Sequence, residues 1–522
     1  IPKQGGNNFS GGIFVSGTGD AFQGSNLTPE IQAQGLIATN SIKQLWDINP
    51  SFGGPIIRDK LWFFGTYRYQ VSRQNVASMW VNRNAGDPTK WTYDPVLEDQ
   101  AVADGNWNNG SGRITWQMTP RNKLSVWSSA QYHCLYCDGG GDGTGLGFGA
   151  MITSPEATAT NENHPSWLPQ VSWTSPSTNR VLLEANAQLG PYFWWGSRQK
   201  NSYDDTMIPV QETAGPYPGI NYRAPVGLCA GAWSDHVGLT NVLQGSVSYI
   251  TGSHSLKVGY RFHHNLSTFP ANFYNNTGLR YAFTDGIPAQ VTAYAEGGSQ
   301  QEQHQTMNAL YAQDRWTIDR LTVQAGLRFE HLSDYFPEQV MGPNRFLPTA
   351  VVFPAEDGPL NQKDLMPRFG ASYDLFGNGK TALKFFMGRY VTTFNTVDEW
   401  ANFSPAGISR FQSTDQRGWD DFTYPVGDPR RGDFVPECNF LDPAPNGECQ
   451  NGNPFFGKAL PTNSIDPAFV DGWNTREYSW DLNAGITQEI VPRVSLQVDY
   501  IRRSWGNLGA TVNDALTAAD FD

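Results

Sequence analysis

The chain has 522 residues, a net charge of −13 and only 16% charged side chains, so it lacks the basic footprint that nucleic-acid binding requires. Mean hydropathy is −0.46, and no stretch approaches the run of about 18 apolar residues that a membrane-spanning helix needs. That excludes a spanning helix but not a membrane, because a β-barrel hides its lipid-facing half in alternate positions.

The first alternating run covers 8–17. After a long polar interval comes the tight turn Arg58-Asp59-Lys60, and the run 61–71 then places Leu61, Phe63, Tyr67, Tyr69 and Val71 on one face against Thr66, Arg68 and Gln70 on the other. The same format returns at turns 119–122, 175–179, 251–253, 318–320, 376–379 and 491–493. Each turn joins two runs of roughly ten residues, and successive pairs are separated by about 30 to 80 loop-like residues, the one-sided pattern of short turns and long loops found in outer-membrane barrels. In 180–189, Val181, Leu183, Ala185, Ala187 and Leu189 oppose Glu184, Asn186 and Gln188. In 254–263, Leu256, Val258, Tyr260 and Phe262 oppose Lys257, Arg261 and His263. In 321–330, Leu321, Val323, Leu327 and Phe329 oppose Gln324, Arg328 and Glu330. The run 381–391 is ambiguous, because Lys384 and Arg389 fall on opposite faces. Runs 480–487 and 493–504 close the series, followed by a polar tail at 506–522.

Counting one unpaired first strand and seven hairpins predicts an all-β, antiparallel, up-and-down transmembrane β-barrel of about 15 strands, in the outer membrane with its long loops outside. The polar faces, with Arg68, Glu184, Lys257, Arg261, Arg328 and Glu330, are expected to line a wet lumen, and the apolar faces to meet outer-membrane lipid. Aromatic content of 13% suits the interfacial girdles of such a barrel. Because single-chain bacterial barrels have even strand numbers, the odd count predicts an incomplete barrel spanning 1–522, with an unpaired edge on the first strand and on the last, and a first strand that begins by about residue 8 predicts no plug domain inside the chain. A soluble carbohydrate-active β-protein would show the same alternation, and a surface adhesion or assembly barrel the same topology.

Several segments sharpen the choice. Gly5-Gly6-Asn7-Asn8-Phe9-Ser10-Gly11 and above all Phe52-Gly53-Gly54-Pro55-Ile56-Ile57-Arg58-Asp59-Lys60-Leu61-Trp62-Phe63-Phe64-Gly65 resemble the opening barrel strands of TonB-dependent outer-membrane transporters, especially the Oar-like branch. Pro367–Asp374 and Trp480–Glu489 resemble later strands of the same barrels. The resemblance implies a barrel of about 22 strands with a plugged lumen, uptake of a bulky nutrient ligand, and energy delivered by the TonB complex through a plug region outside this chain.

Candidate chemistry lies in the loops. Asp428, Asp433 and Glu437 are spaced as oxygen ligands for Ca²⁺ could be, although Arg430 and Arg431 between them favour a solvated loop instead. Tyr192, Phe193, Trp194 and Trp195, just beyond a strand's outer end, could stack on a ligand or sit in the aromatic girdle. Cys134–Cys137 and Cys438–Cys449 are the closest cysteine pairs, which suits disulfides in an oxidising envelope, and Cys229 is left over. The glycine-rich stretch 138–149 lacks the spacing and following helix of a dinucleotide site. No H-E-x-x-H, G-x-S-x-G or nominated carboxylate pair is present, so no enzyme is expected and no cofactor beyond a Ca²⁺ in 428–439.

Overall fold

The computed structural model describes residues 3–136, 152–197, 206–225, 232–233, 235–268, 272–273, 277–295, 301–392, 402–407, 409–513, 515–516 and 520. One large antiparallel sheet dominates. Its wall strands are β1 (Ser10–Gly19), β2 (Ser41–Ile57), β3 (Leu61–Asn82), β4 (Pro95–Thr119), β5 (Asn122–Leu135), β6 in two segments (Thr160–Trp167 and Gln170–Pro176), β7 (Val181–Ser197), β8 (Asp235–Thr251), β9 (His254–Thr268), β10 (Glu302–Ile318), β11 (Leu321–Phe336), β12 (Glu356–Asp374), β13 (Thr381–Val391), β14 (Tyr478–Val491) and β15 (Val494–Gly506). Each pairs antiparallel with its neighbour in sequence, from β1 with β2 to β14 with β15. Among the described residues no pairing joins β15 to β1, so the outer edges of both are free.

All seven expected turns fall where the sequence put them. Asp59 and Asp319 take left-handed φ values of 61° and 47°, a conformation that Asp tolerates better than most side chains and that suits the twist of a tight hairpin. In the turn after β12, Asp374 accepts from the backbone N–H of Gly377 (2.9 Å) and Gly379 (2.8 Å), both at left-handed φ.

The side chains divide as the period-two pattern requires. Leu243, Val247, Val258, Tyr260, Leu310, Leu327 and Ile486 are exposed on the outer face, where an apolar band would meet lipid. The ambiguous run settles the same way: Leu383, Phe385 and Met387 are exposed, which puts Lys384 on the lumen face. Arg389 remains in the β13–β14 ladder opposite Trp480, but it lies past the end of the β12–β13 ladder at Arg368–Gly388. Beyond that point β12 pairs instead with the parallel segment Asp471–Trp473, and Arg389 turns into the fork.

The strands are longer than expected: β3 has 22 residues and β4 has 25, where about ten cross a membrane. Their far ends rise as stalks because they have something to pack on. The main hydrophobic core lies not in the wall but among the long loops, where Val76, Met79 and Ala101 from the stalks meet Ile208, Tyr222, Tyr281, Phe283, Trp419 and Phe440. A second sheet binds these loops together, in the order Thr414–Gly418, Ile287–Tyr294, Leu279–Thr284, Val210–Glu212, Ile220–Tyr222 and Ile152–Thr153. Its strands come from four different long loops, so the loop end carries a cooperative cap.

Candidate functional site: the lumen wall and the loop cap

The predicted lumen charges face one side of the sheet, and most are paired there. Arg68 forks Asp47 with a shortest contact of 2.7 Å. Lys257 on β9 reaches across β8 to Glu184 on β7 at 2.6 Å, and Ser246 on the intervening strand donates to the same carboxylate at 3.2 Å. Arg328 contacts Glu330 at 2.6 Å. Among the described residues Arg261 has no such partner, and its Nε is buried without a hydrogen bond.

A larger network grows from Glu330. Arg476, in the irregular segment just before β14, contacts Glu330 at 2.8 Å and Asp364 at 2.6 Å. Arg389 also reaches Asp364 at 3.3 Å and donates to the Asn474 side chain at 2.8 Å. Arg476 and Asp364 have side-chain exposures of 1% and 0%. Three guanidinium groups and two carboxylates thus lock the return of the longest loop into the wall. Sequence pattern missed this: Arg476 sits in no periodic run, and Asp364 precedes the part of β12 that resembles a strand motif.

The aromatic run does not lie beyond its strand, because β7 continues through it to Ser197. Alternation then splits the residues: Tyr192 shares the face of Glu184 while Phe193 lies on the opposite one, so they make no common platform. Tyr192 is exposed on the Glu184 face of the sheet and meets His236 edge-on, with ring centroids 5.8 Å apart. Trp194 and Trp195 pair through their backbones with His236 and Asp235. Cys137, Cys229 and the stretch 138–149 lie outside the described residues.

In the cap, the Arg223 guanidinium stacks over Trp91 at 3.5 Å and donates to the carbonyls of Pro88, Lys90 and Ile208 at 2.8, 3.0 and 3.0 Å, tying two loops together. Trp91 in turn stacks on Phe434 at 5.0 Å. A disulfide joins Cys438 and Cys449, whose Cα atoms are 5.7 Å apart. Beside it, Asp428, Asp433 and Glu437 take different hydrogen-bond partners. Asp428 is forked by Arg430 at 2.7 Å, and these hydrogen bonds hold its carboxyl down to about 2. Asp433 accepts from the Val435 N–H at 2.9 Å, and Glu437 turns toward Glu448. Among the described residues no three His, Cys, Asp or Glu side chains are arranged to hold a metal ion.

Glu437 and the buried Asp421 form a different kind of site. Burial, reinforced by Asp433 and Glu448, pushes Glu437 up to about 7. Burial, reinforced by Glu448, Asp433 and Asp420, pushes Asp421 up to about 6. The folded cap therefore holds protons that an unfolded loop releases near pH 4, so its stability is full at acid pH, falls as pH rises from about 4 to about 7, and is level above that. Loop amides in 414–450 should exchange faster at pH 8 than at pH 5 after correction for intrinsic rates, and Glu437→Gln should remove much of the difference, about 1–3 kcal/mol given partial exposure. Equal protection at both pH values would refute this.

A sheet of sequential hairpins with an apolar outer band, a charged inner face and loops gathered at one end is the architecture of an outer-membrane β-barrel. Residues 71–513 match the family described as outer membrane beta barrel domain, and the chain belongs to that family. It is 34% identical over 138 residues to the TonB-dependent transporter Oar of Myxococcus xanthus, covering 24% of this chain and 13% of that protein. Among solved structures it is similar to the outer membrane transporter YddB from Escherichia coli, with TM-score 0.53, 12% identity, and coverage of 89% of this chain and 47% of YddB. It is also similar to the siderophore receptor PirA from Acinetobacter baumannii, with TM-score 0.50, 13% identity, and coverage of 96% and 53%. The chain thus spans about half the length of the solved transporters it matches. Membership of the family places the chain in the outer membrane and removes the soluble carbohydrate-active alternative.

Proposed function

We propose that this chain is the barrel wall and ligand-facing cap of a receptor that takes up a bulky nutrient across the outer membrane, with energy supplied through TonB in the complete polypeptide. The observation that carries this reading is the cap: four loops share one sheet and one core, set over a wall whose inner face is charged. A binding surface built on a rigid scaffold above a polar path suits capture followed by passage. Loops such as 191–239 and 393–474 would meet the ligand first. The similarity to proteins named as transporters and receptors supports the same reading.

The test compares growth of a strain lacking the complete gene product with its parent on a panel of sole carbon, nitrogen and iron sources. The expected result is loss of growth on one class of source, reproduced in a strain lacking TonB and by a protonophore. Unchanged growth on every source with reduced cell adherence would instead establish the adhesion reading.

A further inference from the structure

We infer that the lumen wall carries a binding site for a soluble ligand bearing two or more carboxylates, centred on Arg261, Arg328 and Arg368. The inference rests on the inner face being a lumen, as proposed above. A cavity of about 410 Å³ opens on that face, lined by these three arginines together with Tyr311, Phe386 and Tyr390 and by several glutamines, and no carboxylate lines it. In a chain of net charge −13, a cavity lined by three guanidinium groups, of which only Arg328 has a carboxylate beside it, Glu330, is a local reversal of sign.

The register explains how the groups converge. Tyr311 on β10 lies directly opposite Arg328 on β11, and Arg368 on β12 lies opposite Gly326. Arg261 stands on β9, two strands from Arg328, which sets their backbones roughly 10 Å apart, close enough for long side chains to grip one small polyanion. The glycines make the room. Gly326 and Gly370 leave parts of the lining without side chains, and a Cβ at Gly259 would lie 2.4 Å from the Tyr311 ring, so Tyr311 takes space that only a glycine leaves open.

Arg328 already meets Glu330 at 2.6 Å, whereas the other two arginines are incompletely used. Arg368 stacks on Tyr390 at 4.6 Å, which fixes its planar fork. Among the described residues neither Arg261 nor Arg368 has a carboxylate oxygen within 4.0 Å, and the buried Arg261 Nε has no hydrogen-bond partner. A buried donor on a charged group is costly to leave unmade. Guanidinium geometry matches a carboxylate with two parallel hydrogen bonds, and the three rings offer apolar faces for the rest of the ligand.

Citrate is the probe, titrated calorimetrically at low salt into the complete gene product in detergent, with heat-modifiable gel mobility verifying the barrel. Saturable binding is expected, weakened about 10-fold or more by Arg261→Gln or by Arg368→Gln, as loss of a charge-assisted pair implies, abolished in the double variant, and absent for the uncharged trimethyl ester. A heat-modifiable barrel that binds no citrate, or a double variant that binds it as tightly, overturns the site. If citrate fails to bind and the double variant also melts earlier, an acidic side chain of the polypeptide itself holds these arginines, and the free-ligand proposal falls. Loss of heat-modifiable mobility in the unsubstituted protein would overturn the barrel reading, and this site with it.

Discussion

Val258→Arg should sharply reduce the yield of folded barrel in the outer membrane, whereas Lys257→Val, one residue away, should leave it nearly intact. Val258 is 51% exposed and pairs with Val247 on one side and Ala312 on the other. Its face continues through the exposed Leu256 and Tyr260, an apolar band that in an outer-membrane barrel would meet lipid. An arginine placed there near the bilayer midplane costs about 2–4 kcal/mol, which is roughly 30- to 1,000-fold in the folding equilibrium. Lys257 points the other way, to the face expected to line the lumen, where its contact with Glu184 is partly exposed and so is worth no more than about 1 kcal/mol. The measurement is heat-modifiable protein in the outer-membrane fraction at matched expression of the complete gene product. If Lys257→Val is the damaging change and Val258→Arg is silent, the faces are reversed and the chain is not a lipid-facing barrel.

The contrast between these neighbours also shows what a sequence can reveal about such a fold. Period two is local, so the inward and outward assignment of Val258, Leu327, Arg328 and Glu184 could be read from a few residues each. The turns were legible for the same reason: Asp59, Gly252 and Asp319 interrupt the alternation at tight hairpins. Long-range partnership was not legible. Nothing near Arg476 announces that it will lie against Glu330 and Asp364, which are 146 and 112 residues away. Nor does anything in Thr414–Gly418 announce that it will pair with Ile287–Tyr294. The cap's sheet is made of strands of two to eight residues, too short for alternation to register. Its stability comes from packing between loops rather than from pattern within one. In the longest loop the spacing of Asp428, Asp433 and Glu437 allowed a shared Ca²⁺ while Arg430 and Arg431 pointed to a solvated loop, and Arg430 does fork Asp428.

The largest destabilisation outside the lipid face should come from Arg476→Met. Arg476 holds Glu330 with one nitrogen and Asp364 with another. Without it, Glu330 keeps only Arg328, and Asp364 keeps only the longer contact with Arg389. Both acids remain desolvated, and breaking one member of a buried ionic cluster costs about 3–5 kcal/mol because the surviving charge is stranded. The damage should be local at first. The segment around 474–477 carries Asn474, which accepts from both the Arg389 side chain and the Leu365 N–H. Releasing this segment frees the end of the longest loop, and with it one strand of the cap. Protease cleavage within 402–477 should therefore accelerate before the wall unfolds. A second substitution separates stranded charge from lost packing: Asp364→Leu added to Arg476→Met removes one orphaned carboxylate, so the double variant should recover much of the lost resistance to proteolysis, as apolar replacement of buried ion pairs often does. If Arg476→Met leaves cleavage unchanged, the network does not anchor the loop. If the double variant is worse than the sum of the single changes, stranded charge is not the cause, and the guanidinium acts mainly by filling space.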